Sequence, residues 1–481
     1  MSASGGRRFS LLRGEVQALP PVRWAVELGM FQFLTVLPTT VAVVIVLISA
    51  AVGLEHPSVN FGMVFTWVVW WSALLVSFVL FGRAWCLVCP VGAAGDWVQR
   101  LSLWWRSPRT AGLDWAWPKR LRGMWLPTAL FVGFVFLDNG YGMSNSPRMT
   151  AGLVVVLTLS AAWVGLVFER RAFCRYLCPI TAFIGLNALT SMFELRRRDP
   201  VECGAPCPTK DCFRGNERRY GCPMSEFPGG GIDSNLHCNL CMECVKSCPR
   251  DNIVLRFRPP GQDLWTMSRP RLDGAVGAAA VVGLATVVPF LVVLLLPETR
   301  SLFARVLPAG LPPNDPPRLA AVAVLLGIGV GASVALAYGF SRLAHVAARS
   351  PEVTARSLFI RYAYALIPIG LSRLLADVLD HALRTWGALG DVTRALLLDF
   401  PMNRVIPGHV SVVHLLGPVT VYALQAGLLV GGLLWSLYAM HRISLGLFAD
   451  REAGLASLIP IAGLAVLLTW VSLWMLGLGL L

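Results

Sequence analysis

The sequence predicts an α-helical polytopic membrane protein of about nine transmembrane helices, interrupted by a small, cysteine-rich α+β insert. Three observations predict it. Mean hydropathy is +0.63 and only 14% of the 481 residues are charged, which places most of the chain in lipid. Apolar stretches of about 20 residues, enough to cross a roughly 30 Å hydrocarbon core, recur along nearly the whole chain. One region, from about Arg196 to Arg271, is instead polar and rich in Gly and Pro, and it holds eight of the 12 cysteines.

Spans are expected at about 31–54, 61–82, 124–142, 150–168, 273–296, 317–341, 357–378, 412–438 and 455–479. The domains that follow are an N-terminal four-helix membrane domain (1–195), the insert (196–272) and a C-terminal membrane domain of about five helices (273–481). No small-residue cleavage site follows the first span at a convincing distance, so it reads as retained and not as a signal peptide. Arg7, Arg8, Arg13 and Arg23 precede it, and Arg100, Arg106, Arg109, Lys119, Arg120 and Arg122 fill the next loop on the same side. The positive-inside rule makes both cytoplasmic. Counting spans onward puts the insert there too, beside Arg170, Arg171, Arg196, Arg197 and Arg198, in a bacterial inner membrane. The formal charge of +14 thus lies in loops between spans, which argues against nucleic acid as a partner.

An internal repeat ends two of these hairpins. The second span closes in Arg83-Ala84-Trp85-Cys86-Leu87-Val88-Cys89-Pro90, and the fourth in Arg171-Ala172-Phe173-Cys174-Arg175-Tyr176-Leu177-Cys178-Pro179. Each copy sets its cysteines just past a helix end, with a Pro that stops helix continuation.

The insert carries the sharpest motif. Cys238-Asn-Leu-Cys241-Met-Glu-Cys244-Val-Lys-Ser-Cys248-Pro249 is the C-x2-C-x2-C-x3-C-P run of bacterial ferredoxins, whose fourth cysteine serves a neighbouring cluster. A second set, Cys203-x3-Cys207-x4-Cys212-x9-Cys222-Pro223, lies just upstream. Crossed ligation follows: Cys203, Cys207, Cys212 and Cys248 for one [4Fe-4S] cluster, and Cys238, Cys241, Cys244 and Cys222 for the other. The insert is accordingly a dicluster, ferredoxin-like domain. Structural zinc has no use for a four-cysteine run ending in Pro, disulfides do not suit a reducing cytoplasmic face, and His237 is superfluous beside four thiolates. Cys86, Cys89, Cys174 and Cys178 leave three readings open: a third metal or iron–sulfur centre, a redox dithiol or metal-handling site, or inert cysteines. Arg83, Arg171 and Arg175 suggest lowered thiol pKa values for either active reading.

With these motifs in hand, the first 258 residues or so resemble the membrane polyferredoxin family that includes NapH, NosR and CcoG. The resemblance rests on Cys86 to Pro90, Cys174 to Pro179 and the run ending at Pro249. It implies electron transfer between a quinone pool, or a cytoplasmic donor, and a partner redox enzyme in a multi-subunit respiratory or assembly complex. An accessory or redox-sensing factor that reduces or delivers a metal is the alternative. The short leader argues against a flavin domain of the NosR kind. The five further spans depart from CcoG, and Cys-x2-Cys against Cys-x3-Cys departs from strict symmetry of the two hairpins.

In the C-terminal block, Arg373, Asp377 and His381 form one helical stripe, read either as a quinone or proton site or as an interfacial ion pair. His345, His409, His414 and His441 could be considered for bis-histidine haem, but nothing in the sequence pairs them, and haem is not expected. Gly327-x-Gly329-x-Gly331 lies inside an apolar span, where small residues serve helix packing and not nucleotide binding.

Overall fold

A computed structural model describes residues 14–28, 31–105, 112–203, 207–216, 219–295, 314–400 and 416–478. Arg7, Arg8, Arg13, Arg106, Arg109, His409 and His414 lie outside the described residues.

Eight helices among the described residues are long and apolar enough to cross a membrane: Phe31–Val52, Phe61–Gln99, Pro147–Val167, Leu272–Pro289, Pro316–Ala348, Ala355–Arg384, Pro418–Leu447 and Arg451–Gly477. The span expected at 124–142 is a helix of 17 residues, Trp125–Tyr141. At about 1.5 Å per residue it covers roughly 25 Å, at the lower limit of spanning length. Large apolar side chains such as Leu34, Val156, Trp163, Val346 and Trp470 stand on the surface, the arrangement a lipid-facing helix requires. The chain is a multi-pass membrane protein.

Two compact units divide the chain, one comprising Met1–Val43, Ser77–Arg122 and Val155–Arg269, the other Val44–Val76, Gly123–Val154 and Pro270–Leu481. All 12 cysteines fall in the first unit. Its only sheet among the described residues pairs β1 (Phe193–Arg197) with β2 (Ile253–Phe257), antiparallel, with Phe193 opposite Phe257 and Leu195 opposite Leu255. Two strands alone are marginal in water. Here Leu195, Ile253 and Leu255 pack with Leu240, Cys212, Cys238 and Cys244 into one buried cluster, so the strands and the cysteine loops stabilise each other. The strands also bring together the two ends of the insert. A buried polar knot ties them: Arg258 pairs with Asp263, Arg196 Nη2 lies 3.1 Å from the same carboxylate, and Asn235 N–H donates to it at 2.7 Å. Fully satisfied networks of this kind hold one loop geometry.

The second unit is a helical block in which small residues and cross-helix hydrogen bonds replace the hydrophobic drive that lipid removes. Gly283 lies against Ser333 and Gly329, and Gly329 against Val287. Ser333 Oγ donates to the Ala279 carbonyl at 2.7 Å, Gln425 Nε2 to the Ala376 carbonyl at 2.9 Å, and Tyr362 Oη meets Ser457 Oγ at 2.9 Å.

Candidate iron–sulfur sites

The 12 thiols gather into three groups of four. Cys203, Cys207, Cys212 and Cys248 line one small pocket, together with Phe227, Gly229 and Asn252. Short turns make this possible. Cys212 sits on a one-turn helix, Asp211–Arg214, entered through Lys210 at φ 53° and left through Gly215 at φ 80°. Asn252 crosses the group: its N–H donates to Cys248 Sγ at 3.3 Å and its Nδ2 to Cys203 Sγ at 3.2 Å, while Nδ2 also reaches the Asp199 carbonyl at 2.7 Å. Nothing in the cysteine spacing announced Asn252. Its place three residues after the Cys-Pro pair was the available signal.

Cys222, Cys238, Cys241 and Cys244 form the second group, every pair close enough to interact electrostatically. Leu240 at φ 53° and Met242 at φ 62° turn the backbone left-handed between the cysteines. Alternating hands point successive N–H groups inward, a nest suited to negative charge. The N–H groups of Leu240, Glu243 and Glu226 accordingly bond the sulfurs of Cys238, Cys241 and Cys222. Cys244 also interacts with Cys212, so the two groups are neighbours.

Cys86, Cys89, Cys174 and Cys178 form the third group, again with every pair in electrostatic reach. The unequal spacing of the two repeats has a structural resolution. Cys86 lies in an α-helical turn, Trp85–Val88, whereas Cys174 lies in a π-helical turn, Phe173–Leu177. A π-turn absorbs one extra residue. Cys89 and Cys178 therefore reach the same extended conformation, ψ 119° and 123°, each just before its Pro. Gly92 stands where a Cβ would come within 2.9 Å of Cys174 Sγ.

Burial governs the thiols. It pushes Cys212, Cys222 and Cys238 up to about 11 and Cys241 to about 12, with N–H groups of Gly229, Glu226, Leu240 and Glu243 pulling the other way. The lowered thiol pKa expected from neighbouring arginines is corrected at Cys174, which stands well above the ordinary value, and at Cys178, raised to about 12. Desolvation outweighs the opposing charge of Arg171 at the one and of Arg83 at the other. Buried thiols of this kind deprotonate when a metal binds them, so the donor set fits an iron–sulfur cluster. Among the described residues no group of three or more metal-ligating side chains is tight enough for a single ion. A tetrahedral zinc site with Zn–S of about 2.3 Å needs sulfurs about 3.8 Å apart. A cubane places its irons and sulfides between the thiolates and suits a wider set.

Elsewhere, Arg373 pairs with Asp377 one turn along the helix, and His381 lies exposed on the same stripe. Arg373 Nε is buried with no hydrogen-bond partner. His345 and His441 are both half-buried.

A 4Fe-4S binding domain family model matches residues 63–109 and 150–192, which take in both hairpin cysteine pairs. Among curated proteins, the putative electron transport protein YccM of Escherichia coli is 31% identical over 102 residues, 20% of this chain and 25% of that protein. Protein NirI of Paracoccus denitrificans is 31% identical over 212 residues, 39% of this chain and 28% of NirI. A Regulatory protein NosR of Pseudomonas aeruginosa is 32% identical over 82 residues, 16% of this chain and 70% of that sequence. The chain thus spans only about a quarter of the length of YccM and of NirI. No solved structure matches it. The chain belongs to the membrane polyferredoxin family of 4Fe-4S proteins of the NosR and NapH type.

Proposed function

We propose that the chain is a membrane-bound electron relay with three four-cysteine cluster sites in series. Cys203, Cys207, Cys212 and Cys248 hold the outermost [4Fe-4S] cluster, Cys222, Cys238, Cys241 and Cys244 the middle one, and Cys86, Cys89, Cys174 and Cys178 a third at the membrane. The observation that carries this reading is the succession of the groups: Cys212 neighbours Cys244, and Arg171 faces both Cys241 and Cys174. Bound clusters supply one-electron carriers. The protein's own part is to hold the thiolates, aim N–H groups at them and exclude water. Cys203 and Cys207, only half-buried, suit exchange with a partner on the cytoplasmic side. The membrane end suits a quinone or the redox site of a partner respiratory enzyme; Arg373, Asp377 and His381, in the second unit, are a candidate quinone or proton site.

The test is iron and sulfide analysis of the purified chain with redox-poised paramagnetic spectra. About twelve irons are expected, and Cys86→Ser or Cys174→Ser should remove about four while both insert signals survive. Fewer than about eight irons in the parent protein would sink the relay. Unchanged iron in the two variants would leave a two-cluster insert beside a dithiol. NosR, to which the chain is similar, is a regulatory protein, and that supports a second reading, an accessory or redox-sensing factor. That reading expects deletion to lower a partner enzyme's metal content, whereas the relay expects lowered electron flow through a partner already mature.

A further inference from the structure

The two repeats exchange arginines. Arg83, three residues before Cys86, sends Nη2 to the carbonyl of Cys174. Arg171, three residues before Cys174, sends Nη1 to the carbonyl of Cys86 at 2.6 Å. Each guanidinium therefore grips the first cysteine of the other repeat. Both are buried, at 1% and 5% exposure, which rules out a solvated surface role. Arg171 takes a left-handed conformation, φ 55°, that is strained for a non-glycine residue. Its bonds to Cys86 and Asp96, the latter at 2.9 Å, hold it there.

The two arginines differ in what balances their charge. Arg171 has Asp96. Arg83 has only neutral acceptors: Cys86 Sγ at 3.4 Å, the Leu236 carbonyl at 3.1 Å, the Cys174 carbonyl and the Thr181 hydroxyl. No carboxylate among the described residues forms an ion pair with it. A buried guanidinium stays charged, and a buried charge needs a counter-charge. Four thiolates around a cluster of smaller positive charge carry a net negative charge, and Arg83 touches one of them. Neutral thiols would leave Arg83 without compensation.

We propose that Arg83 and Arg171 are crossed positioning residues for a cluster held by Cys86, Cys89, Cys174 and Cys178, and that the Arg83 charge is the cluster's electrostatic partner, raising its reduction potential. The proposal rests on the third-cluster reading above. A fixed positive charge stabilises the form that holds the extra electron, so the sign is upward. Arg171, facing Cys174 and Cys241 together, acts on the hairpin and middle sites alike. No proton moves, because neither guanidinium titrates.

The experiment uses the full-length protein in detergent or vesicles, with iron counting and a redox titration of each cluster signal. Arg83→Gln is expected to lower the reduction equilibrium of the hairpin signal at least tenfold, about 59 mV for one electron, and to leave the outermost signal unchanged. Arg83→Lys, which keeps the charge, should restore most of that shift. Arg171→Gln should lower both the hairpin and the middle signals, and it decides the matter should Arg83→Gln fail to accumulate. Hairpin potentials unmoved in variants that retain their iron overturn the proposal. Unchanged iron in Cys86→Ser would instead remove the third cluster itself, an outcome the two measurements keep apart.

Discussion

Asn252 shows how one residue serves two thiols at once. Its backbone N–H donates to Cys248 and its side-chain amide to Cys203, the bond that Asn252→Ala removes, and the side chain also fixes Asp199, whose N–H returns to its Oδ1 at 2.9 Å. N–H···S bonds withdraw charge from the sulfurs and raise the potential of a cluster. Asn252→Ala should therefore shift the outermost signal to lower potential and cost about 1–3 kcal/mol for the buried groups left unpaired. Redox titration and chemical denaturation read the two effects, and an unmoved outermost potential would remove Asn252 from the site. Asn252 is invisible to cysteine spacing because an amide carries no motif of its own. The crossed arginines were closer to legible, since both stand three residues ahead of the first cysteine in each repeat. That they cross, each serving the other copy, depends on how two distant hairpins pack.

At the scale of elements, the repeat works because a π-turn in one copy does what an α-turn does in the other. Sequence alone left the unequal spacing as an argument against equivalence. Backbone conformation removes it, since Cys89 and Cys178 arrive at matching extended geometry. The helix Pro90–Trp105 then brings Gly92 against Cys174 Sγ. Gly92→Ala must displace that sulfur, so loss of about four irons with both insert signals intact is the expected result. Gly133→Ala, at a position with nothing within 4 Å, is the control and should keep full iron. In the second unit, the run at Gly327, Gly329 and Gly331 divides in the same way. Gly329 meets Val287, while Gly327 and Gly331 meet nothing within 4 Å. Gly329→Leu should destabilise the helical block by about 1–3 kcal/mol through overpacking, and Gly327→Leu should not. Thermal melts in detergent compare them, and equal losses would refute the packing role.

At the scale of the whole molecule, the proposed cluster sites should couple to folding. With iron removed, Cys212, Cys222 and Cys238 have thiols raised to about 11, above the unfolded value of about 8.5. Their contribution to apo stability is fully present below about pH 8.5 and lost as pH rises toward 11. The iron-stripped protein should thus lose its insert structure across that window while the loaded protein, its thiolates already ligated, does not. Circular dichroism against pH follows both forms, and parallel curves would contradict the assignment. Orientation is a second molecular property. Protease added to inside-out vesicles should cleave the insert and spare it in right-side-out cells, and the reverse pattern would invert the topology.

The sequence by itself determined the membrane class, the repeated Cys-Pro hairpins and the ferredoxin-type run, because hydropathy and short-range ligand spacing are local properties written along the chain. The 124–142 stretch was legible as a helix, and its 17 residues in the structure stand at the lower limit of spanning length. Only the tertiary structure brought the two hairpin pairs together and set buried arginines against them. Those facts depend on contacts between residues about ninety positions apart, from Arg83 to Cys174. Burial then reversed what charge alone suggested for Cys174 and Cys178, because desolvation is a property of the packed interior and not of the neighbouring residue.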